Sequence, residues 1–578
     1  MLTGILFGLA ETLVLLGIGS ALARFLQISP SLGELGILGL IGVAIAGSVV
    51  HLLVPISGFV QLTFLAFGVF SAIACRRQIR ASLTWPAWVG LIGGFVIAGW
   101  TLQSPSLTYD DGLYYLQTIK WIQEFPIVVG LGNLHGRLAY NSQDFVILAA
   151  FPTASEPWVA RAILSALLIA SLMQQLDVFR HSRIWRPDVF WYAALAPVAL
   201  VKYVISLSDG PLDPDSLSAA LIVYWILIAL RMPPGDAGST TDYALLVVIG
   251  TFTATIKLSA LPVFAVTLLV VVLAWASGRV HQRRVFGLSA FLVVIWLLRG
   301  VLLSGCALYP AEQSCVFALP WAVRPEQVSW HSIALRAWAR MPHVFDYHTV
   351  LGNWDWFQPW LWRVLPRRIL QVGLGGAIAC SLAAVKSLRR GSPYLRSFLL
   401  AGFLALCFAW WFTTAPDPRF GAGFFISFGL LGFSLLASLA LPASLSRRFI
   451  PRYAAPVICA TVVLAAVHAV VAAAPFQSSQ PPVVEAYELR SPSMPRVWIP
   501  QQGELCWNHA LPCAPYIHVD SWRRIRWPRS LPSFPEASFV TPPGWIAYEA
   551  EDSRRRPAMR VPPKPSDIEH LPKKTGAP

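Results

Sequence analysis

Apolar runs of about 16–22 residues recur along most of the chain, separated by short polar or basic loops. A hydrocarbon core roughly 30 Å thick needs about 20 such residues to cross it as a helix. Runs of this kind fall at 2–22, 35–53, 59–75, 85–102, 158–176, 189–205, 217–230, 243–258, 261–276, 285–303, 369–385, 398–412, 420–441 and 454–474. They predict an all-α polytopic membrane protein with about 13–14 transmembrane helices, because a helix satisfies its own backbone polar groups in lipid. A membrane barrel would instead show short alternating strands. Pro262 is expected to break the run ending at 258 from the one after it. The apolar stretch 144–151 is too short to span and reads as re-entrant.

Two units follow. Residues 1–474 form the membrane domain, with large loops at 103–157 and 304–368. Residues 475–578 form a tail rich in Pro, Ser and charge. Its first part, to about 549, carries Trp, Cys and Tyr and is expected to fold or pack on the membrane domain, while its end reads as disordered.

Composition agrees. The chain is 56% hydrophobic and 13% charged, where a soluble domain carries roughly 25% charged residues. A net charge of +15 would ordinarily raise the question of nucleic acid. Here the Arg and Lys collect in short loops: Arg76, Arg77 and Arg80; Arg180, Arg183 and Arg186; Arg279, Arg283 and Arg284; Lys386, Arg389, Arg390 and Arg396; Arg447, Arg448 and Arg452. All fall on one side of the predicted membrane, which makes that side cytoplasmic and leaves no nucleic-acid partner to expect. Both termini, the large loops and the tail then lie on the extracytoplasmic side. The first run lacks a basic leader and reads as a span rather than a cleaved signal peptide.

Cys75, Cys380, Cys407 and Cys459 sit in or beside apolar runs as packing residues. Cys306 with Cys315, and Cys506 with Cys513, bracket short turn-rich stretches in outer segments. Two local disulfides in an oxidising compartment fit them better than zinc or free thiols.

The candidate chemistry centres on Thr108-Tyr-Asp-Asp-Gly112, directly after the run 85–102. A carboxylate at a membrane edge can have its pKa raised by desolvation and a like-charged neighbour, and so serve as a base. Asp110 and Asp111 could equally hold a divalent cation or cap the helix that follows. In that helix Tyr115, Ile119 and Ile122 share one face, and Trp121 suits an interface. Lys120 can reach a phosphate or snorkel. In Gly130-Leu-Gly-Asn-Leu-His-Gly-Arg137, His135 and Arg137 can meet phosphate or sugar oxygens, or the glycines can simply make a turn. A second acidic loop, with Asp209, Asp213 and Asp215, can bring another carboxylate or cap the next helix. Lys257 ends an apolar stretch, and Arg419 lies between two runs, where it can bind phosphate or pair with Asp417. Trp354, Trp356, Trp360 and Trp362 can stack on sugars or mark an interface.

With its acidic motif Tyr109-Asp-Asp-Gly112 and adjoining amphipathic segment, the chain resembles the GT-C superfamily of polytopic membrane glycosyltransferases. More closely, Asp111-Gly-Leu-Tyr-Tyr-Leu-Gln-Thr-Ile-Lys-Trp121, Gly130-Leu-Gly-Asn-Leu-His-Gly136, Ser304-Gly-Cys-Ala-Leu-Tyr-Pro310 and the Cys506–Cys513 pair resemble a group of uncharacterised bacterial polytopic membrane proteins. The superfamily resemblance implies a GT-C-like fold in a bacterial inner membrane, with the active-site loops extracytoplasmic. It implies a polyprenyl-phosphate sugar donor and a cell-envelope glycan or lipid acceptor. Asp110 or Asp111 would be the base or the ligand of a divalent cation. Arg419, Lys257, Lys120, His135 and Arg137 would be available to phosphate. Members commonly begin inside, whereas the span count here begins outside. Two rivals stand beside this reading. One is a polysaccharide polymerase or ligase, relying more on outer-loop arginines. The other is a transporter or non-catalytic membrane protein, for which Glu11 is the clearest intramembrane charge.

Overall fold

A computed structural model describes residues 2–101, 108–151, 170, 173–174, 186–205, 212–232, 240–276, 282–342, 344, 346–388, 394–440, 460, 481–489, 494–515 and 519–531. Among them, eight helices are long and apolar enough to cross a membrane: Gly8–Leu26, Leu32–His51, Pro214–Arg231, Leu258–Ala276, Arg283–Ser304, Arg368–Ser387, Leu395–Thr414 and Pro418–Ala440. Gly58–Ala74 and Arg76–Ser82, bent by 75°, make a ninth if counted as one span. The chain is thus mostly helical, with the architecture of a multi-pass membrane protein. The count falls below the sequence expectation for two reasons. The runs 158–176 and 454–474 lie almost wholly outside the described residues. Others form shorter helices, such as Trp85–Thr101 and Thr240–Ile256 at 17 residues each.

The break near Pro262 comes where Thr240–Ile256 ends, with Lys257 extended and a short 3-10 turn at Leu258–Ala260. Proline lacks an amide donor, so the helix restarts with Pro262 in its first turn. The stretch 144–151 becomes a seven-residue helix, Gln143–Ala149, buried throughout.

Ionic ties join the helices away from the loops. Glu34, in a capping box with Ser31, accepts from Arg231 at 2.8 Å and from the Tyr224 hydroxyl at 2.6 Å. Arg231 also reaches Asp242 at 2.5 Å. These contacts lock the far end of Pro214–Arg231, whose near end carries Asp213 and Asp215. A buried carboxylate stripped of its cation would be strongly destabilising, so the pair sets the helix register.

The loop 304–368 folds into the helices Pro325–Arg340, Tyr347–Gly352 and Phe357–Val364. The described part of the tail packs against the segments that carry the acidic motif and the glycine-rich turn. Its strands Ala486–Leu489 and Val497–Pro500 pair antiparallel, with Ala486 opposite Pro500. Both expected disulfides are present, Cys306–Cys315 and Cys506–Cys513. Cys75, Cys380 and Cys407 are buried free thiols. Cys459, Asp209 and the chain beyond 531 lie outside the described residues.

Candidate functional site

Five chain segments, carrying Asp110, Arg137, Asp213 with Asp215, Lys257 and Arg419, meet at one end of the bundle. The first is the acidic motif. Asp111–Tyr115 forms a five-residue π turn leading into the nine-residue helix Leu116–Glu124. Such wide turns are rare and frequently accompany function. This one separates the fates of the two aspartates. Asp111 is fully buried, and its Oδ2 accepts from the Thr108 amide at 2.7 Å and the Thr108 hydroxyl at 2.8 Å. Asp110 instead faces two guanidiniums. Arg137 Nη1 donates to its Oδ1, and Arg419 Nη2 donates to its Oδ2 at 3.3 Å from a position 309 residues away.

Arg419 connects this carboxylate to the second acidic loop, its Nε lying 3.8 Å from Asp215 Oδ2. Lys257 pairs with the other oxygen of Asp215. Asp213 caps Pro214–Arg231, accepting from the Asp215 amide at 3.1 Å and from the Tyr115 hydroxyl at 3.2 Å. Asp110, Asp213 and Asp215 therefore interleave with Arg137, Arg419 and Lys257. Sequence reasoning named each of these residues; the structure unites them.

The turn carrying Arg419 is held by aromatic residues. Trp411 Nε1 donates to Asp417 O and Trp360 Nε1 to Pro416 O, both at 2.6 Å. The Arg419 guanidinium lies 5.2 Å from the ring centre of Trp338 and 5.0 Å from that of Phe420. Lys257 Nζ lies 4.5 Å from Phe420. Asp417 takes Arg363 at 3.2 Å, so its side chain does not neutralise the Arg419 guanidinium. Trp338 gave no signal in the sequence, because a tryptophan on an ordinary amphipathic helix says nothing of a cation far along the chain. Phe420 adjoins Arg419 and was within reach of inspection. Trp356 and Trp360 are buried packing residues, while Trp354 and Trp362 are exposed.

Burial, and behind it the charge of Asp110, raises the Tyr114 hydroxyl well above the ordinary tyrosine range. Burial and then Asp213 do the same for Tyr115. Both phenols stay protonated and can only donate or accept as neutral groups. Burial alone would lower the Arg137 guanidinium, but Asp110 outweighs it and raises it.

Other candidates lie elsewhere. Lys120 Nζ donates to the tail carbonyls of His509 at 2.8 Å and Asn508 at 3.2 Å, and burial pulls its ammonium below the usual lysine range. Its place is the tail contact, not a phosphate. His135 is buried, and its carbonyl accepts the Leu138 amide at 2.9 Å in the following 3-10 turn. The glycine-rich stretch is a structural turn. Gly130 has φ +82° and donates to Leu302 O at 2.8 Å, a conformation that favours glycine. The acidic residues do not fit a divalent cation. Both oxygens of Asp110 face guanidiniums, and Asp111 is turned to Thr108. Among the described residues no three His, Cys, Asp or Glu side chains gather as metal ligands.

The tail covers the motif. Trp507 donates its amide to Gly112 O at 2.8 Å, Gln117 Nε2 donates to Trp507 O at 2.9 Å, and the Tyr109 hydroxyl donates to Glu504. Trp507 holds φ at +42°, a strained value for a bulky residue. A Cβ on Gly112 would come within 2.6 Å of its ring. Gly112→Ala is therefore expected to undock this lobe. Overpacking of this kind costs about 1–3 kcal/mol. The buried Cys506–Cys513 disulfide should then be reduced by a mild phosphine roughly tenfold faster. An unchanged reduction rate would show that this contact does not hold the tail.

The family described as a domain of unknown function, DUF8201, matches residues 1–426. The chain belongs to the DUF8201 family. No curated protein and no solved structure matches it. Every residue of the ionic cluster, from Asp110 to Arg419, lies inside the DUF8201 match, while the tail lobe that covers the acidic motif lies beyond it.

Proposed function

We propose that this DUF8201 protein is an inverting membrane glycosyltransferase of GT-C type. It moves a sugar from a polyprenyl-phosphate donor to a cell-envelope glycan or lipid. The observation that carries this reading is Asp110 held between Arg137 and Arg419, at the mouth of an apolar helix bundle, with Asp215 and Lys257 beyond. A lipid phosphate needs cations at the membrane edge, and an acceptor hydroxyl needs a carboxylate beside them. The positive-inside pattern supports placing this end, with its tail, on the extracytoplasmic face of a bacterial inner membrane.

The chemistry follows from competition. Without donor, both guanidiniums neutralise Asp110. A donor phosphate draws them away, since guanidinium forks match phosphate oxygens, and Asp110 becomes the stronger base. The acceptor oxygen then attacks the anomeric carbon as its proton passes to Asp110. The bond from that carbon to the phosphate oxygen breaks, and Arg137 and Arg419 stabilise the departing polyprenyl phosphate.

The test is a reconstituted transfer assay with a panel of polyprenyl-phosphate sugars and envelope acceptors. Arg419→Lys should lose roughly a hundredfold in transfer, because an ammonium cannot replace a fork held between two aromatic rings. Undiminished transfer would remove Arg419 from the site. Loss in Arg137 and Arg419 variants with full activity in an Asp110 variant would favour the polymerase or ligase reading. No transfer and no donor binding by the folded wild type would overturn glycosyl transfer altogether.

A further inference from the structure

A separate cavity of about 20 Å3 lies among the helices Leu32–His51, Leu116–Glu124 and Arg283–Ser304 and the segment 138–145. His51, Trp121, Tyr140, Asn141 and Arg299 line it. Arg299 is 2% exposed. Its Nε donates to Asn141 Oδ1 at 3.3 Å, and its Nη1 donates to His51 Nδ1 at 2.7 Å. The other His51 nitrogen, Nε2, faces Phe125 O at 3.0 Å. Arginine can only donate and a carbonyl can only accept, so the imidazole carries its proton on Nε2 and takes none of the arginine's charge.

Arg299 is thus a buried cation without a counter-charge among the described residues. Among the described residues no carboxylate lies within 4.0 Å of it, and its Nη2 makes no hydrogen bond. A further donor shares the cavity wall: Trp121 Nε1 is buried and has no acceptor among the described residues. A buried guanidinium held only by neutral groups is strongly unfavourable in an apolar bundle. A water molecule would satisfy some of these donors but would leave the charge unbalanced.

We propose that this cavity binds one small monovalent anion of halide size, chloride being the ordinary occupant, held by Arg299 with Trp121 Nε1. A space of about 20 Å3 is nearer the size of a halide than of phosphate or an organic anion. The inference is independent of the glycosyltransferase reading, since none of the groups holding the anion belongs to the Asp110 cluster.

The test uses the purified full chain in detergent, melted in sodium chloride, bromide, phosphate or gluconate at constant ionic strength. Chloride and bromide are expected to raise the melting temperature to saturation, as a ligand that binds only the folded state does. Gluconate should not, and any rise in phosphate should persist in Arg299→Gln. Trp121→Phe removes the donor while keeping an aromatic ring on this wall, and should weaken the halide midpoint by about fivefold. Arg299→Gln should abolish the halide response. Should Arg299→Gln fail to fold, bromide anomalous scattering from wild-type crystals gives the answer directly, with a peak expected in the cavity. The proposal is overturned by any of three results: no halide-specific rise, the same titration in wild type and Trp121→Phe, or only ordered water in the cavity.

Discussion

Asp110→Asn should abolish most sugar transfer while leaving the protein folded. A positioned base contributes roughly a hundred- to ten-thousandfold, and that is the expected loss in kcat. The fold should tolerate the change because the two guanidiniums left behind, although enclosed enough for burial to act on them, still reach water. Their side chains are 35% and 23% exposed, so water can solvate both, and the stability change should stay within about 1 kcal/mol. Asp111→Asn should do the reverse. Asp111 is fully buried and holds the Thr108 amide and hydroxyl. Weakening such a site costs about 1–3 kcal/mol, with a smaller effect on transfer. Comparing turnover and unfolding for the two variants separates the roles. If Asp111→Asn lost transfer at full stability and Asp110→Asn did not, the assignment of the base would be reversed.

The largest effect on stability is expected at Lys257 and Asp215. Asp215 is 3% exposed at the start of Pro214–Arg231, with Lys257 on one oxygen and Arg419 3.8 Å from the other. Lys257→Met removes the closer cation and leaves a buried carboxylate with one distant partner. Breaking a buried pair from one side costs about 3–5 kcal/mol, and a clear drop in melting temperature should follow. Asp215→Asn in the same chain removes the stranded charge and should recover much of that loss. The measurement is a double-mutant cycle on unfolding in mixed micelles. Strictly additive losses would mean that the two side chains do not depend on each other.

The pairing of Lys257 with Asp215 shows where sequence reading stopped. Both residues were conspicuous as charges beside apolar runs, because charge at membrane depth is costly and stands out. Their partnership was not, since Lys257 looked free to snorkel and Asp215 looked like a cap. Asp213 does cap the helix, while Asp215, two positions on, carries the ion pair. For Arg419 the sequence offered phosphate or the nearest acid, Asp417. The short turn Pro418–Gly421 instead directs Asp417 to Arg363 and Arg419 to Asp110 and Asp215. Lys120, read beside the acidic motif, serves the tail.

The sequence by itself determined the solvent of the chain, its helical class, the break ahead of Pro262, the two local disulfides and the identity of nearly every charged residue in the cluster. Those properties follow from local pattern: run length, the missing amide of proline, short cysteine spacing, and charge where charge is expensive. Tertiary structure alone decided which aspartate faces the cations, that Trp338 flanks Arg419, that the tail closes over Gly112, and that Arg299 sits by a cavity with no counter-charge among the described residues. Each of these joins residues far apart in the chain. The energy of an ion pair or a ring contact depends on separation in space, and no local pattern records that separation.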